Sequence, residues 1–265
     1  MNPLRFGAFA AGAFALLFLS AASLNVQAHT PQSGTRLPVL VELFTSEGCS
    51  DCPPAGAFLA TLDQSQPVPS AQLIVLSEHV GYWDSDGWRD PFSSHDLTIR
   101  QRDYVDHLQL QTAYTPQMVI DGDAQLVGSD QKTAIADIEK AASMHIVPIR
   151  LSGLSANGDK HVRMQINIGP ADAPADKISG DVWVALADDS DQSNVKAGEN
   201  AGHVLNNVAV VRHLSRVGSM HEGAFSAGPS LSTEGANLHD LRIVAFVQLG
   251  LGGKIVALGS TRLPN

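Results

Sequence analysis

The two cysteines of the chain stand together in the segment Cys49-Ser50-Asp51-Cys52. An apolar run precedes them and Pro53 and Pro54 follow, which is typical of a turn that leads from a buried strand into a helix. Two cysteines separated by two residues at such a junction form a dithiol/disulfide switch. Since the chain has no further cysteine, the sequence excludes a framework of several disulfides and a four-cysteine zinc site.

The spacing predicts different roles for the two thiols. We expect Cys49 at the helix N-terminus, where N–H groups and the helix dipole favour its thiolate, and Cys52 one turn inside the helix. Cys49 would then attack a partner disulfide, and Cys52 would resolve the mixed disulfide. Ser50 and Asp51 tune the pair, although Asp51 is equally suited to a plain helix start. Because the charges of Asp51 and Glu47 disfavour a thiolate, we predict a reductase or isomerase rather than a strong oxidant.

The elements around the pair follow a regular order in the first half of the chain. A buried strand over 39–44, a helix over 53–62 and a buried strand over 73–77 predict a right-handed parallel crossover. The pattern then predicts a helix over 95–108, two short strands joined by the turn Asp121-Gly122, and a helix capped by Asp130. This order, β-α-β-α-β-β-α, is that of the thioredoxin fold.

The hydrophobic pattern and the composition of the sequence change after Met144. Short segments of alternating character, such as 162–168, are separated by linkers rich in small and polar residues, notably 169–180 and 188–203. That pattern is typical of an antiparallel β-sandwich. The predicted fold class is therefore an α/β thioredoxin-like domain over 38–146, followed by an all-β, sandwich-like domain over 147–265.

Several segments resemble a family of bacterial secreted proteins known as domain of unknown function 1223. The segments that carry the resemblance are 41–54, 79–84, 90–92, 114–119, 198–202 and 210–212. Together they extend over nearly all of the chain after its N-terminal segment. The resemblance implies a thioredoxin-like fold and a periplasmic or secreted protein, and it implies no particular activity.

In a thioredoxin-like fold, two more positions are candidate functional residues. Glu42 is the one charge in its apolar strand, and a buried carboxyl with a raised pKa could take the proton of the resolving thiol. Alternatively, Glu42 points to an edge or pairs with a structural cation. Thr115-Pro116 resembles the Thr-cis-Pro of this fold, in which the Thr115 backbone pairs with an extended substrate peptide. The alternative is an ordinary trans proline that starts a strand.

An aromatic and acidic segment, 79–92, separates the second strand from the second helix. Tyr82, Trp83 and Trp88 could form one wall of a groove that binds apolar side chains of a substrate, with His79 near Cys49. Alternatively, these aromatic residues form a small core under a long loop, and His79 is a structural histidine.

The N-terminus has the features of a secretory signal. Arg5 precedes an apolar run from Phe6 to Leu24, and Val26-Gln27-Ala28 offers a cleavage site. We predict a cleaved signal peptide over 1–28 and a flexible leader over 29–37, with an uncleaved membrane anchor as the alternative. No other segment is long and apolar enough to cross a membrane.

Charge and composition narrow the class of partner. The net charge of −10 argues against nucleic acid and anionic membranes as partners. We predict a periplasmic or secreted thiol–disulfide oxidoreductase that acts on protein or peptide thiols without an organic cofactor. Two alternatives remain: a non-catalytic binding module with a structural disulfide, and a copper-binding protein that uses Cys49, Cys52 and a histidine. The sequence does not determine the oligomeric state.

Overall fold

A computed structural model describes Met1 and residues 36–144, 146–157, 160–169 and 178–264. The predicted signal peptide, apart from Met1, and the predicted leader as far as residue 35 lie outside the described residues. Leu37, predicted as the end of the leader, is the first residue of a strand. Among the described residues, none of the helices has the length and apolar character that a membrane crossing requires.

Thirteen strands and three α-helices account for most of the described residues. The strands are β1 Leu37–Thr45, β2 Ala71–His79, β3 Gln117–Ile120, β4 Ala124–Val127, β5 Val147–Pro148, β6 Arg150–Asn157, β7 His161–Ile168, β8 Gly180–Asn194, β9 Val204–Met220, β10 Phe225–Ala227, β11 Ser230–Ser232, β12 Leu241–Gln248 and β13 Ile255–Arg262. The helices are α1 Pro53–Ser65, α2 His95–His107 and α3 Gln131–Ala141, and 3-10 turns occur at Gly81–Trp83 and Leu238–Asp240.

The helices begin where the sequence places helix-starting residues. Pro53 and Pro54 occupy the first positions of α1, where a missing N–H is tolerated. Ser94 caps α2 by accepting a hydrogen bond from the N–H of Asp96, and Asp130 caps α3 in the same way. The element order predicted for the first half of the chain is therefore observed.

The predicted fold class is wrong, because the strands of both halves form one mixed sheet. Its nine strands lie in the order β4-β3-β1-β2-β9-β8-β12-β13-β5. The halves join where β2 pairs in parallel with β9, at Ser77 and Val210. The first half is thus one end of a larger sheet rather than a separate thioredoxin-like domain. The division of the chain near residue 146 stays a prediction.

The remaining strands form a small second sheet against the C-terminal part of the large one. It contains β10, β7 and β11, with β6 paired to β7. The buried side chains of β7, among them Val162, Met164 and Ile166, share a core with residues of β8 and β12. The alternation predicted for β7 is observed, with every second residue buried. The small sheet thus packs on a sheet that both halves of the chain build, so the second half is not the separate all-β, sandwich-like domain predicted for it.

The first end of the large sheet is covered by helices on both faces. Val39, Val41 and Leu43 of β1 pack with α1 and α3, while Leu40 and Phe44 pack on the opposite side in clusters that include residues of α2. Because side chains alternate along a strand, this arrangement also places Glu42 on the α2 side.

Candidate functional site

The cysteine pair lies in the turn that connects β1 to α1. The N–H of Cys49 donates to the carbonyl of Ser46 at 3.2 Å, and the N–H of Cys52 donates to that of Cys49 at 3.2 Å. Cys49 and Cys52 form a disulfide with their Cα atoms 5.4 Å apart. The turn therefore holds the pair in the oxidised state that the spacing makes possible.

The position of the pair relative to α1 differs from the prediction. Cys52 is the N-cap residue rather than a residue one turn inside, so Cys49 precedes the helix. Pro53 and Pro54 have no N–H group, and the N–H groups of Ala55 and Gly56 donate to the carbonyl of Cys52. The first turn of α1 consequently has no spare N–H to stabilise a thiolate.

The disulfide is covered by the tip of the hairpin formed by β8 and β9. Asn200 donates from its side-chain amide to the carbonyls of Glu47 and Cys49, each at 2.9 Å. Glu199 accepts a hydrogen bond from the N–H of Ser50 at 3.2 Å. Cys49 and Cys52 retain 1% and 2% of their accessible surface. The second half of the chain thus closes the site.

Glu47 anchors the turn from inside the protein. Its carboxylate accepts hydrogen bonds from Trp88 Nε1 at 2.9 Å and Asn207 Nδ2 at 3.1 Å, and its N–H donates to Asp90 at 2.8 Å. Since these partners come from the aromatic segment 79–92 and from β9, Glu47 joins three parts of the chain beneath the disulfide.

Trp83 connects the turn to Thr115, a predicted substrate-binding residue, next to Pro116, which is predicted to be catalytic. Its side chain lies against Gly48, where an added Cβ would come within 3.2 Å of the Trp83 Cβ. Its indole N–H donates to Thr115 Oγ1 at 2.8 Å. The Thr115–Pro116 peptide bond is cis, as expected. The structure therefore brings Trp83 and Trp88 to the cysteine turn and links Thr115 to it through Trp83, while their role in binding substrate stays a prediction.

Other predicted site residues lie away from the pair or face solvent. Ser50 and Asp51 are exposed. Tyr82 is 39% exposed and donates from its hydroxyl to Gln101 on α2. Burial raises the pKa of Tyr82, although Gln101 and Thr115 oppose this shift. Tyr82 therefore contacts α2 and remains partly exposed to solvent.

Glu42 belongs to a buried polar cluster on the α2 side of the sheet. Arg100 donates to the Glu42 carboxylate from Nε at 2.8 Å and also from Nη2. Tyr104 donates its hydroxyl to the other carboxylate oxygen at 2.5 Å, and Glu78 lies 3.4 Å from Arg100 Nε. Since α1, which Cys52 caps, packs on the opposite face, the ion pair with a structural cation describes the surroundings of Glu42 better than a proton relay does.

A cleft of about 450 Å³ borders the disulfide on the side of Cys52. Cys52 lines this cleft and Cys49 does not. The remaining wall comes from the turn, from α1, from the end of β2 and from β9, and it includes Glu47, His79 and Asn207. A cleft of this volume is in the range of small-ligand sites.

His79 is held at the end of β2 by Asp90. Its Nδ1 lies 2.7 Å from Asp90 Oδ2, and its ring packs edge-to-face against Phe92 at 5.4 Å. Burial raises the pKa of Asp90, but His79 and the N–H groups of Glu47 and Phe92 outweigh it, so this pKa lies below its usual value. A carboxylate that only accepts hydrogen bonds requires the proton to be on Nδ1.

The matched family model extends over residues 40–248 and is described as Protein of unknown function (DUF1223). The chain belongs to this family. A comparison with curated proteins finds no match. Membership in DUF1223 confirms the resemblance stated from the sequence segments and adds no activity to it.

Two solved structures resemble the fold of this DUF1223 chain. Protein AGR_C_4864 from Agrobacterium tumefaciens has a TM-score of 0.66 and 24% identity, with 88% of this chain and 97% of that chain covered. HBP35 of Porphyromonas gingivalis has a TM-score of 0.59 and 14% identity, with 88% and 77% covered. At these identities the likeness concerns the fold alone.

The hairpin tip of the DUF1223 chain, residues 198–202, is recognisable as a motif in the sequence, but its contact with the cysteine turn is not. Gly198 and Gly202 flank Glu199 and Asn200 and have positive φ values of 74° and 82°. The two glycines indicate a tight turn. Nothing in the local pattern indicates that the turn closes over Cys49.

Replacement of Asn200 tests whether its side-chain amide restricts access to the disulfide. We expect Asn200→Ala to lower the free energy of unfolding by about 1–3 kcal/mol, because two buried carbonyls lose their donor. Reduction of the disulfide by a small thiol should become faster. Asn194→Ala, at an exposed position of β8, is the matched control. Equal reduction rates in both variants would show that Asn200 does not restrict access.

Among the described residues, no group of three or more His, Cys, Asp or Glu side chains is arranged to hold a metal ion. The copper-binding alternative therefore has no third ligand in this part of the chain.

Proposed function

We propose that the Cys49–Cys52 disulfide is redox-active and exchanges with protein or peptide thiols that reach it through the cleft. The observation that carries this proposal is the position of Cys52 in the cleft wall, next to a turn that keeps both cysteines within bonding distance. The assignment reverses the roles predicted from the sequence, because Cys52, not Cys49, faces the approaching molecule.

The reaction is a two-step exchange. An incoming thiolate attacks Sγ of Cys52, the Cys49–Cys52 bond breaks, and the electron pair leaves on Sγ of Cys49. A second thiolate then attacks the substrate sulfur of the mixed disulfide and releases Cys52. Two thiols are oxidised to one disulfide while the protein gains two thiols. In the reverse direction, Cys52 attacks a substrate disulfide.

The surroundings of the pair favour the reducing direction. A strong oxidant needs a stabilised thiolate in its reduced form. Here the first turn of α1 has no spare N–H group, and the ionisable neighbours in the turn are the acids Glu47 and Asp51. We therefore propose a reductase or an isomerase, with a potential well below the value of about −120 mV of the strongest oxidants. A periplasmic or secreted location, read from the N-terminal segment, belongs to the same proposal.

Trapping on single-cysteine variants tests the proposal. With oxidised glutathione as the probe, Cys49→Ser should form a mixed disulfide through Cys52, which mass spectrometry detects as an added glutathione. Cys52→Ser should capture far less, because Cys49 lies under Asn200 and outside the cleft wall. The two variants lose the same disulfide and control for each other's stability. Equal capture on both would contradict the role of Cys52.

Burial of the pair favours a second candidate function. Both cysteines are almost completely inaccessible and the hairpin tip is bonded over them, as in a structural disulfide of a non-catalytic binding module. This candidate predicts that neither variant captures glutathione and that the folded protein resists mild reductants.

A further inference from the structure

His79 carries a buried nitrogen that the fold leaves without a partner. The side chain is 1% exposed, and its Nε2 has no hydrogen-bond partner among the residues that the structure describes. Buried polar atoms are hydrogen-bonded in the large majority of cases, so an exception at a cleft needs an explanation. His79 lines the same cleft as Cys52.

The contacts of His79 place a lone pair on that nitrogen. Asp90 accepts the hydrogen of Nδ1, and the same carboxylate oxygen accepts the N–H of Glu47 in the cysteine turn. In the neutral form of the ring, this arrangement leaves the lone pair on Nε2. Phe92 packs against the ring and restricts its rotation. Asp90 thus connects His79, which lines the cleft, to the turn that carries the disulfide.

We infer that His79 is the base that removes the proton from a thiol entering the cleft, so that the thiolate forms beside Cys52. This inference rests on the proposed function. The proton moves from the substrate sulfur to His79 Nε2, and the new thiolate attacks Sγ of Cys52. The proton on His79 can then neutralise the thiolate that leaves on Cys49, either directly or through water.

Other ionisable groups face His79 from neighbouring elements. Asp90 holds Nδ1, Glu47 lines the cleft, and Asp191 on β8 interacts with His79 electrostatically. Burial, together with Asp188, raises the pKa of Asp191 to about 6, while Arg212 and His79 oppose this shift. Arg212 itself lies over Phe92, behind the imidazole.

The cleft also indicates the kind of thiol that fits. Its ionisable lining residues are Glu47 and His79, and small residues such as Gly56 and Ala57 form the wall at α1. Because the wall contains an acid and no Lys or Arg, a neutral thiol suits it better than an anionic one. We therefore choose β-mercaptoethanol as the probe.

The experiment compares two reductants over a range of pH. At pH 7 we expect His79→Gln to slow reduction by β-mercaptoethanol by about 10-fold or more, since general bases contribute roughly 10²–10⁴-fold. The difference should disappear at high pH, where the thiol ionises by itself. Reduction by a water-soluble phosphine, which has no proton to lose, should be unchanged. His95→Gln, at an exposed position of α2, is the matched control.

Each outcome separates a chemical role from a structural one. An equal change with thiol and phosphine would show that His79 only shapes the cleft, and an unchanged thiol rate would exclude it as the base. If His79→Gln fails to fold, Asp90→Asn tests the same point, because an amide in place of the carboxylate no longer fixes the proton on Nδ1 and should alter the pH profile for the thiol alone. Suppose that Cys49→Ser captures glutathione but that His79→Gln does not change the rate of reduction by the thiol. This result would overturn the role of His79 as the base and leave the proposed function intact.

Discussion

Replacement of Arg100 by Met is expected to lower the free energy of unfolding by about 3–5 kcal/mol, the usual cost of removing one partner of a buried ion pair. Arg100 is 6% exposed and donates to Glu42, Tyr104 and Gln248. Without it, the carboxylate of Glu42 remains in the core with no cation. Denaturant unfolding of the two proteins at neutral pH measures the difference.

Two further variants show whether charge is the cause. Arg102→Met changes an exposed arginine on the same helix and should shift stability little. Adding Glu42→Gln to Arg100→Met should recover part of the loss, since it removes the unpaired carboxylate. Strictly additive losses would show that Arg100 contributes through packing and not through its charge.

Replacement of Glu78 by Gln is expected to change how stability depends on pH. Burial raises the pKa of Glu78 well above its usual value of 4.5; Glu42 adds to the shift and Arg100 opposes it. The folded protein therefore retains a proton that the unfolded chain has released. From pH 4.5 upward, this group reduces stability by as much as about 1.4 kcal/mol per pH unit, until its folded-state pKa is reached.

Gln is neutral throughout, so the advantage of Glu78→Gln over the parent protein should grow as pH rises. Urea unfolding at a series of pH values measures this difference. Asp121→Asn provides a reference, because burial raises the pKa of Asp121 to about 7 and its advantage should stop growing near that pH. A difference for Glu78→Gln that does not vary with pH would contradict a proton held at this position.

The parts of the fold that were predicted correctly depend on local signals. Pro53 and Pro54 mark the start of α1, Asp121-Gly122 marks the turn between β3 and β4, and Asp130 caps α3. Each signal acts within a few residues, so a single sequence is sufficient to recognise it.

The join between the two halves was missed because strand pairing leaves little trace in one sequence. Ser77 and Val210 pair across the junction of β2 and β9, yet each lies in an ordinary apolar strand. The segment 188–203 was predicted as a linker, whereas β8 continues to Asn194. Its polar residues lie on the outer part of a long hairpin, where burial does not impose an apolar pattern.

The candidate site likewise contains features that local signals predict and features that depend on distant parts of the chain. The cysteine pair and Thr115-Pro116 are recognisable from neighbouring residues alone. The cation that pairs with Glu42 is Arg100, 58 residues further along the chain, and the amide that covers Cys49 is 151 residues away. The unpartnered nitrogen of His79 depends on three-dimensional packing, and only the presence of His79 in an unusual segment was visible beforehand.

The hairpin tip that covers the disulfide is made late in the synthesis of the chain. Asn200 is synthesised 151 residues after Cys49, so the cysteine turn emerges from the ribosome long before its cover exists. The pair can therefore be oxidised while it is still open, whereas in the folded protein the cleft beside Cys52 borders it. The order of synthesis thus leaves a period in which the disulfide can form before the hairpin tip closes over it.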